Sequence, residues 1–358
     1  MQFTAQRKLR GSNFDNDMMN PAIATVSLGR SSAGHNIIYK IKRAASAGFK
    51  GVEIFYECLE HLAIQLQQDN LVLSKTSLLE AARQVHAVCK ESDITVVSLQ
   101  PFLFYDGLRD EVARLKKIEE LKLWFELARI LHTDIIQIPS NFQRDGTTGD
   151  IDRIVDDLTL AAEMGSQRSP PIRFAYEAIS WGNHVDMWEQ SWEIVKRVNR
   201  ANMGLCLDVF HIAGRIWADP TSPSGINDQA DKHLDLSLQR LVNELDPAKI
   251  FYVQIGDAYR LDSPIVPGNP LFSVASKPRM SWSRNARSFL FEGYLPAWQV
   301  CEAIFIKLGW HGWVSLEMFH QTLYQPDPEM PLALATRAAV SWGKFLERLT
   351  LCQDGLGR

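Results

Sequence analysis

Four polar residues interrupt otherwise apolar stretches at the same relative place. Glu177 ends IRFAYE, Asp208 ends GLCLD, Gln254 sits late in IFYVQ, and Glu317 ends WVSLE. Three carboxylates gathered in an apolar setting repel strongly unless a cation sits among them. With one amide oxygen they form an oxygen-rich donor set that suits one divalent metal, Mg²⁺ or Mn²⁺, with Fe²⁺ or Co²⁺ also compatible. No cluster of cysteine and histidine argues for structural zinc. Any one of the four, taken singly, reads as a surface or salt-bridged residue. All four at the ends of consecutive apolar runs read as one centre. His211 follows Asp208 by three residues, in LDVFH. Beside a metal centre, an imidazole there is a candidate general base near neutral pH; alone, it reads equally as a loop histidine bonded to backbone. His184 and His320 also follow apolar runs, with less to tie them to the centre. Glu53, in GVEIF, reads equally as a substrate contact or as a buried, paired carboxylate.

Something must bring these residues together, and the chain alternates strand-length apolar runs with amphipathic helical stretches. The expected strands are Ala22–Leu28, Gly51–Tyr56, Ile94–Leu99, Asp134–Pro139, Phe174–Ala178, Met203–Asp208, Ile250–Ile255 and Gly312–Met318. Several are almost continuously apolar, as strands of a parallel sheet covered by helices must be. The expected helices are Ile37–Ala47, Leu78–Glu91, Asp110–Leu131, Ile151–Met164, Met187–Val198, Lys232–Leu245, Ala297–Lys307 and Leu332–Leu349. Glycine follows several of them, as in Ala47-Gly48 and Leu308-Gly309, where a left-handed C-cap is expected. Eight strands alternating with eight helices is the count of a single (β/α)₈ TIM barrel of the α/β class; a doubly wound open sheet has fewer strands and an edge. Strand ends in such a barrel converge on one mouth, so the fifth to eighth strands would deliver the four residues to one place. The organisation expected is an N-terminal extension over residues 1–20, the barrel over 21–350 and a tail over 351–358. Gly214–Gln229 and Tyr259–Tyr294 are long connections; loops beyond ~12–15 residues in a compact domain are usually functional or disordered. The second contains PRMSWSRNARSF, whose Arg279, Arg284 and Arg287 are candidates to meet an anionic substrate.

Composition narrows the classes. At 358 residues, 46% hydrophobic and 22% charged, the chain is an ordinary globular sequence able to bury a large core. A net charge of −4 gives no reason to expect nucleic acid. No run approaches the ~20 apolar residues that span a bilayer, and no apolar segment follows the basic N-terminus as in a secretory signal. Five scattered cysteines, Cys58, Cys89, Cys206, Cys301 and Cys352, form no CxxC pair. They fit reduced thiols in a cytoplasmic protein, with Cys206 as core filler.

The segments YEAISWG, LCLDVFHIAGR, VQIGDA and VSLEMF resemble the sugar-phosphate isomerase/epimerase-like, or xylose-isomerase-like, barrels. AYEAISWGNHVDMWEQSW, the stretch 204–225, PRMSWSRNAR and GYLP are similar to the fungal 3-dehydroshikimate dehydratases of quinate catabolism. The likeness runs from about Ala22 to about Leu349. It implies a metal-dependent conversion of 3-dehydroshikimate, a small polyhydroxylated cyclic keto acid, to protocatechuate and water. It implies the same four metal ligands, His211 as base, and a metal that polarises the ketone. Arg284 or Arg287 would bind the substrate's carboxylate or a hydroxyl, with Glu53 and Trp181 among the substrate contacts. A homo-oligomer is compatible with such barrels, and the sequence carries no interface signature. There are departures from the pattern. The family's third strand commonly ends QPFR, its arginine reaching the substrate; here QPFLFYDG puts Leu103 in that place. One lost charge-assisted contact is worth roughly 1.5–3 kcal/mol, about ten- to a hundredfold in affinity. Arg109 is the nearest candidate to compensate. Asn269 stands where histidine is expected, and RSFLFE before GYLP is short. Two rival readings use the same scaffold: a sugar or keto-acid isomerase or epimerase, and a binding or regulatory paralogue without turnover. A DNA-repair endonuclease of related fold would need several clustered histidines.

Overall fold

In the computed structural model, which describes residues 19–67 and 73–353, eight parallel strands close into a barrel. They are β1 (Asn20–Ala24), β2 (Gly51–Phe55), β3 (Thr95–Gln100), β4 (Ile135–Pro139), β5 (Arg173–Glu177), β6 (Met203–Asp208), β7 (Ile250–Ile255) and β10 (Trp313–Leu316). Each pairs with its neighbours in sequence order, and β10 closes the ring on β1. Between β7 and β10 a two-residue antiparallel ribbon joins β8 (Asp257–Ala258) to β9 (Arg287–Ser288).

The outer ring contains α1 (Ile37–Ser46), α3 (Lys75–Glu91), α4 (Glu111–Leu131), α5 (Ile151–Ser166), α6 (Trp188–Val198), α8 (Ala230–Glu244), α10 (Ala297–Cys301, continued as a π-turn to Lys307) and α11 (Met330–Gln353). Local chemistry sets their ends. Asn36, Ser74, Asp110 and Asp150 accept backbone N–H groups of the first turns that follow them. Gly48 and Gly309 take positive φ after their helices, as the glycine signals suggested. The main apolar core lies between barrel and helices. A separate plug of Ala22, Val97, Ile135, Ala175, Cys206 and Tyr252, drawn from six strands, fills the barrel's interior. Cys206 is therefore core filler, as expected.

Three further helices were not anticipated. α2 (Tyr56–Gln65) and α7 (Val209–Ile216) start directly at the ends of β2 and β6, so no turn residues mark the change of period. α9 (Pro278–Ala286) starts with proline in its first turn and lies inside the connection expected to be irregular. The stretch Gly214–Gln229 accordingly begins within a helix. The opening run Ala22–Leu28 is a strand only to Ala24 and then a 3₁₀ turn, Thr25–Leu28. α11 continues through Gln353 into the expected tail, while residues 1–18 of the expected extension and 354–358 lie outside the described residues. Among the described residues no helix is long and apolar enough to cross a membrane.

Candidate active site

Side chains two apart on a strand share a face, so the strands that send Ala175, Cys206 and Tyr252 into the plug send Glu177, Asp208 and Gln254 inward one layer nearer the mouth. Glu317 joins them one residue beyond β10. All four are buried, below 6% exposure, which makes the charge on each expensive.

Asp208 does two jobs. Its Oδ1 accepts the Phe210 N–H at 2.7 Å, capping α7, and its Oδ2 is left for the centre. Because the helix starts there, His211 falls in its first turn and is carried back over the carboxylates. Its Nε2 lies 3.6 Å from Asp208 Oδ2 and 3.7 Å from Glu177 Oε1. Its Nδ1 has Ser180 on two sides, the backbone N–H donating at 3.1 Å and the hydroxyl oxygen lying 3.2 Å away. Burial first, and Arg287 after it, push the imidazole down to about 3 against the pull of Asp208, so the ring is neutral. The N–H of Ser180 favours the proton on Nε2, and its Oγ can accept one from Nδ1 instead.

Arg287 is fully buried among these acids. It donates to Asp208 Oδ2 at 2.5 Å, pairs with Glu317 Oε2 at 3.1 Å, and reaches the Glu317 carbonyl through Nε at 3.0 Å. Phe210 and Phe319 cover its guanidinium, 4.6 and 5.7 Å from the ring centres. Burial works against this cation, but Asp208, Glu317 and Glu177 outweigh it and raise its proton affinity.

The remaining oxygens are held by amides. Gln100 donates to Glu317 at 2.8 Å and Gln137 to Glu177 Oε2 at 2.5 Å. Gln254 Nε2 donates to both oxygens of Glu53, at 3.0 and 3.1 Å, and to Glu317 at 3.2 Å. Its own oxygen faces the Cys206 thiol at 3.5 Å, so its amide must turn over before that oxygen can serve as a ligand. Gln100 and Gln137 were overlooked at the sequence level, although VVSLQ and IIQIP carry the same signal as the acids: a polar residue late in an apolar run.

Four carboxylates, with Glu53, face one guanidinium, a formal −3 if all are ionised. Burial, followed by Asp208 and Glu317, drives Glu177 well up; burial also drives Glu53 up and holds Glu317 at about 8. Glu177 Oε1 is buried without a hydrogen-bond partner. Ligand atoms of Glu177, Asp208 and His211 all fall within 4.8 Å of one another. An acidic excess, an orphaned carboxylate oxygen and convergent donors fit a cation at this point.

Above the acids opens a cavity of about 450 Å³. Glu177, His211, Arg287 and Glu317 belong to its lining, with Trp181, Phe142 and Leu103 among its walls and Arg30, Arg284 and Glu57 among its polar groups. Trp181 meets His211 edge-on at 4.9 Å. Other candidates lie elsewhere. Glu53 is fully buried beneath the acids, bound by Gln254 and by Ser98 at 3.1 Å, and does not line the cavity. Arg279 is spent on the carbonyls of Gly214 and Ala218, 3.0 and 2.8 Å away. Arg109 is exposed and off the cavity. Asn269 ties its own loop by donating to Ser263 and Pro264 carbonyls. His184 bonds Thr147, whereas His320 does reach the cavity wall.

Residues 41–344 match the xylose isomerase-like TIM barrel family. The 3-dehydroshikimate dehydratase of Neurospora crassa is 45% identical over 343 residues, 93% of this chain and 95% of that one. A solved xylose isomerase-like TIM barrel/4-hydroxyphenylpyruvate dioxygenase fusion protein superposes with TM-score 0.70 at 27% identity, over 95% of this chain and 45% of that one. The IOLI protein, solved with a zinc atom, gives TM-score 0.65 at 18% identity over 91% and 99% of the two chains, a likeness of fold alone. The chain belongs to the xylose isomerase-like TIM barrels and, within them, to the family of the 3-dehydroshikimate dehydratases.

Proposed function

We propose that this protein dehydrates 3-dehydroshikimate to protocatechuate. Its relationship to the Neurospora enzyme across nearly the whole of both chains supports the substrate. The observation that carries the chemistry is the neutral His211 imidazole facing buried carboxylates at the floor of the cavity. The reaction removes a proton from the carbon beside the ketone, expels the hydroxyl one carbon further on as water, and tautomerises to an aromatic diol. A divalent cation, Mg²⁺ or Mn²⁺, held by Glu177, Asp208 and Glu317 with Gln254 as fourth donor, would polarise the ketone.

The protein's own groups account for the proton. In the tautomer that gives the Nδ1 proton to Ser180 Oγ, at the expense of the Ser180 N–H contact, His211 Nε2 is free to accept from carbon. The same nitrogen can then return that proton to the departing hydroxyl, so one residue serves both half-steps. Trp181 and Phe142 give the substrate ring an apolar wall and limit access of water. Arg284 faces the cavity without a hydrogen bond or ion pair among the described residues, and is the better carboxylate partner; Arg287 is committed to Asp208 and Glu317.

The test is a spectrophotometric assay with 3-dehydroshikimate on metal-stripped protein, before and after adding Mn²⁺ or Mg²⁺. Metal-dependent appearance of protocatechuate in the near ultraviolet is the expected result. A non-aromatic isomer as product, or no turnover with metal bound, defeats the proposal.

A further inference from the structure

We propose that Arg30 is a second arm of the carboxylate-binding site, working with Arg284, and that Glu57 holds Arg30 in the absence of substrate. The proposal rests on the dehydratase reading for its substrate, but not for its geometry.

Arg30 follows the 3₁₀ turn after β1, with its backbone N–H anchored on the Leu323 carbonyl at 2.8 Å. Its guanidinium lies against two rings of the cavity wall, 5.7 Å from the centre of Phe55 and 5.4 Å from that of Tyr324. Nη2 pairs with Glu57, the first-turn acid of α2. The Arg30 side chain is 18% exposed, yet its Nε is buried without a hydrogen-bond partner. Arg284, on α9, lines the same cavity and makes no hydrogen bond among the described residues. Burial lowers the proton affinity of Arg284, Tyr324 raises it, and the nearby Arg30 lowers it again. Two partly desolvated guanidiniums thus share one cavity, with donors left over on both.

A rim salt bridge alone explains this poorly. Exposed or half-exposed pairs contribute about 0–1 kcal/mol, and such a pair needs neither the two rings nor a second cation. A guanidinium carries five donors in a planar fork, of which Glu57 engages one edge. Glu57 is the more exposed partner at 33%, so it can turn to water while Arg30 stays stacked. An incoming carboxylate then finds both cations in one cavity. Leu103, in the same lining, offers only apolar surface.

Kinetics and binding on the full-length, metal-loaded protein test this. Arg30→Met should raise KM for 3-dehydroshikimate about ten- to a hundredfold with kcat little changed, because the contact is made equally before and during reaction. Glu57→Gln should lower KM a few-fold by removing the competitor. Titration calorimetry with protocatechuate and its uncharged methyl ester reads the same contact without turnover. Wild type should prefer the acid, and Arg30→Met should lose most of that preference. Arg30→Lys keeps the charge but not the fork, and should fall between; it stands in if the methionine variant does not fold. A wild-type KM and an intact acid preference in Arg30→Met would overturn the proposal. If wild type makes no protocatechuate, the dehydratase reading fails, and the acid–ester comparison still decides Arg30: lost preference supports it, while kept preference, or no binding of either compound, overturns it.

Discussion

Arg287→Met removes the one guanidinium buried among four carboxylates while keeping most of the stem. It deletes contacts to Asp208 at 2.5 Å and to Glu317 at 3.1 Å, with both acids buried. Breaking a buried pair by removing one partner costs about 3–5 kcal/mol, because the other charge stays behind unpaired. Protonation caps that cost here: Glu317 is already held at about 8 and can take a proton at neutral pH. The low end, about 3 kcal/mol, is therefore expected in metal-free protein, or roughly 4 °C in melting temperature. A bound divalent cation would replace the lost charge. At a hundred times its Kd it would add about 2.7 kcal/mol to any folded form that binds it, and more to the form most short of positive charge. The assay is thermal unfolding of wild type and variant in chelator and in Mn²⁺, with Arg284→Met, outside the acid cluster, as control at under about 1 kcal/mol. Mn²⁺ should narrow the gap between wild type and Arg287→Met. Equal stability in chelator would show that the guanidinium does not balance the acids, and a gap that Mn²⁺ widens would show that the arginine is needed to hold a cation rather than to stand in for one.

Glu177→Ala should lose divalent-metal binding and turnover together; metal retained at unit stoichiometry on dialysis would remove Glu177 from the donor set. His211→Ala should keep the metal and lose at least ~10²-fold in kcat, and Ser180→Ala about tenfold with KM unchanged, since Ser180 acts only through the ring. A Ser180→Ala enzyme with wild-type kcat would mean that its hydroxyl does not hold the Nδ1 proton. Away from the centre, Asp106 is buried, one oxygen bonded to Tyr176 at 3.0 Å and the other unpartnered. Burial raises it from 3.8 to about 7, so the folded state binds this proton more tightly than the unfolded chain. The stability this gives is complete below about pH 4 and is lost as pH rises to about 7, on the order of 4 kcal/mol. Asp106→Asn should remove that dependence: the difference in melting temperature between variant and wild type grows from pH 4 to 7 and then levels. A constant difference across this range would contradict it.

The barrel and the acidic centre were legible because both depend on one simple pattern. A strand covered on both faces must be apolar, so Glu177, Asp208 and Gln254 stand out, and their place at the strand ends says where they meet. The same pattern held Gln100 and Gln137, passed over because an amide carries no charge to explain. What stayed hidden depends on chain reversals and reach. α7 begins directly after the last residue of β6, so VFHIAGRI reads as a continuation of an apolar run. Only the capping bond of Asp208 reveals why His211 ends up over the acids. The two arginines at the end of α9 could not be told apart by spacing: three residues separate Arg284, which lines the cavity with no hydrogen bond among the described residues, from Arg287, which also reaches the lining but is paired with Asp208 and Glu317. Arg30 and Glu57 lie on different connections, and nothing in the sequence announces that they meet. Asn269, expected to alter the pocket, only braces its own loop.

Asp208 gives one oxygen to the start of a helix and the other to the reactive centre. Asparagine keeps the cap and weakens the centre; alanine forfeits both, and glutamate's extra methylene moves the cap out of register. Loss of the acid is thus coupled to damage in the scaffold for most replacements. Genetic drift would meet misfolded or quickly degraded products at this codon before it met a folded, inactive barrel. A lineage that gave up dehydration while keeping the fold should therefore show its first changes elsewhere, among cavity residues such as Arg284 or Trp181 that no helix depends upon for its start.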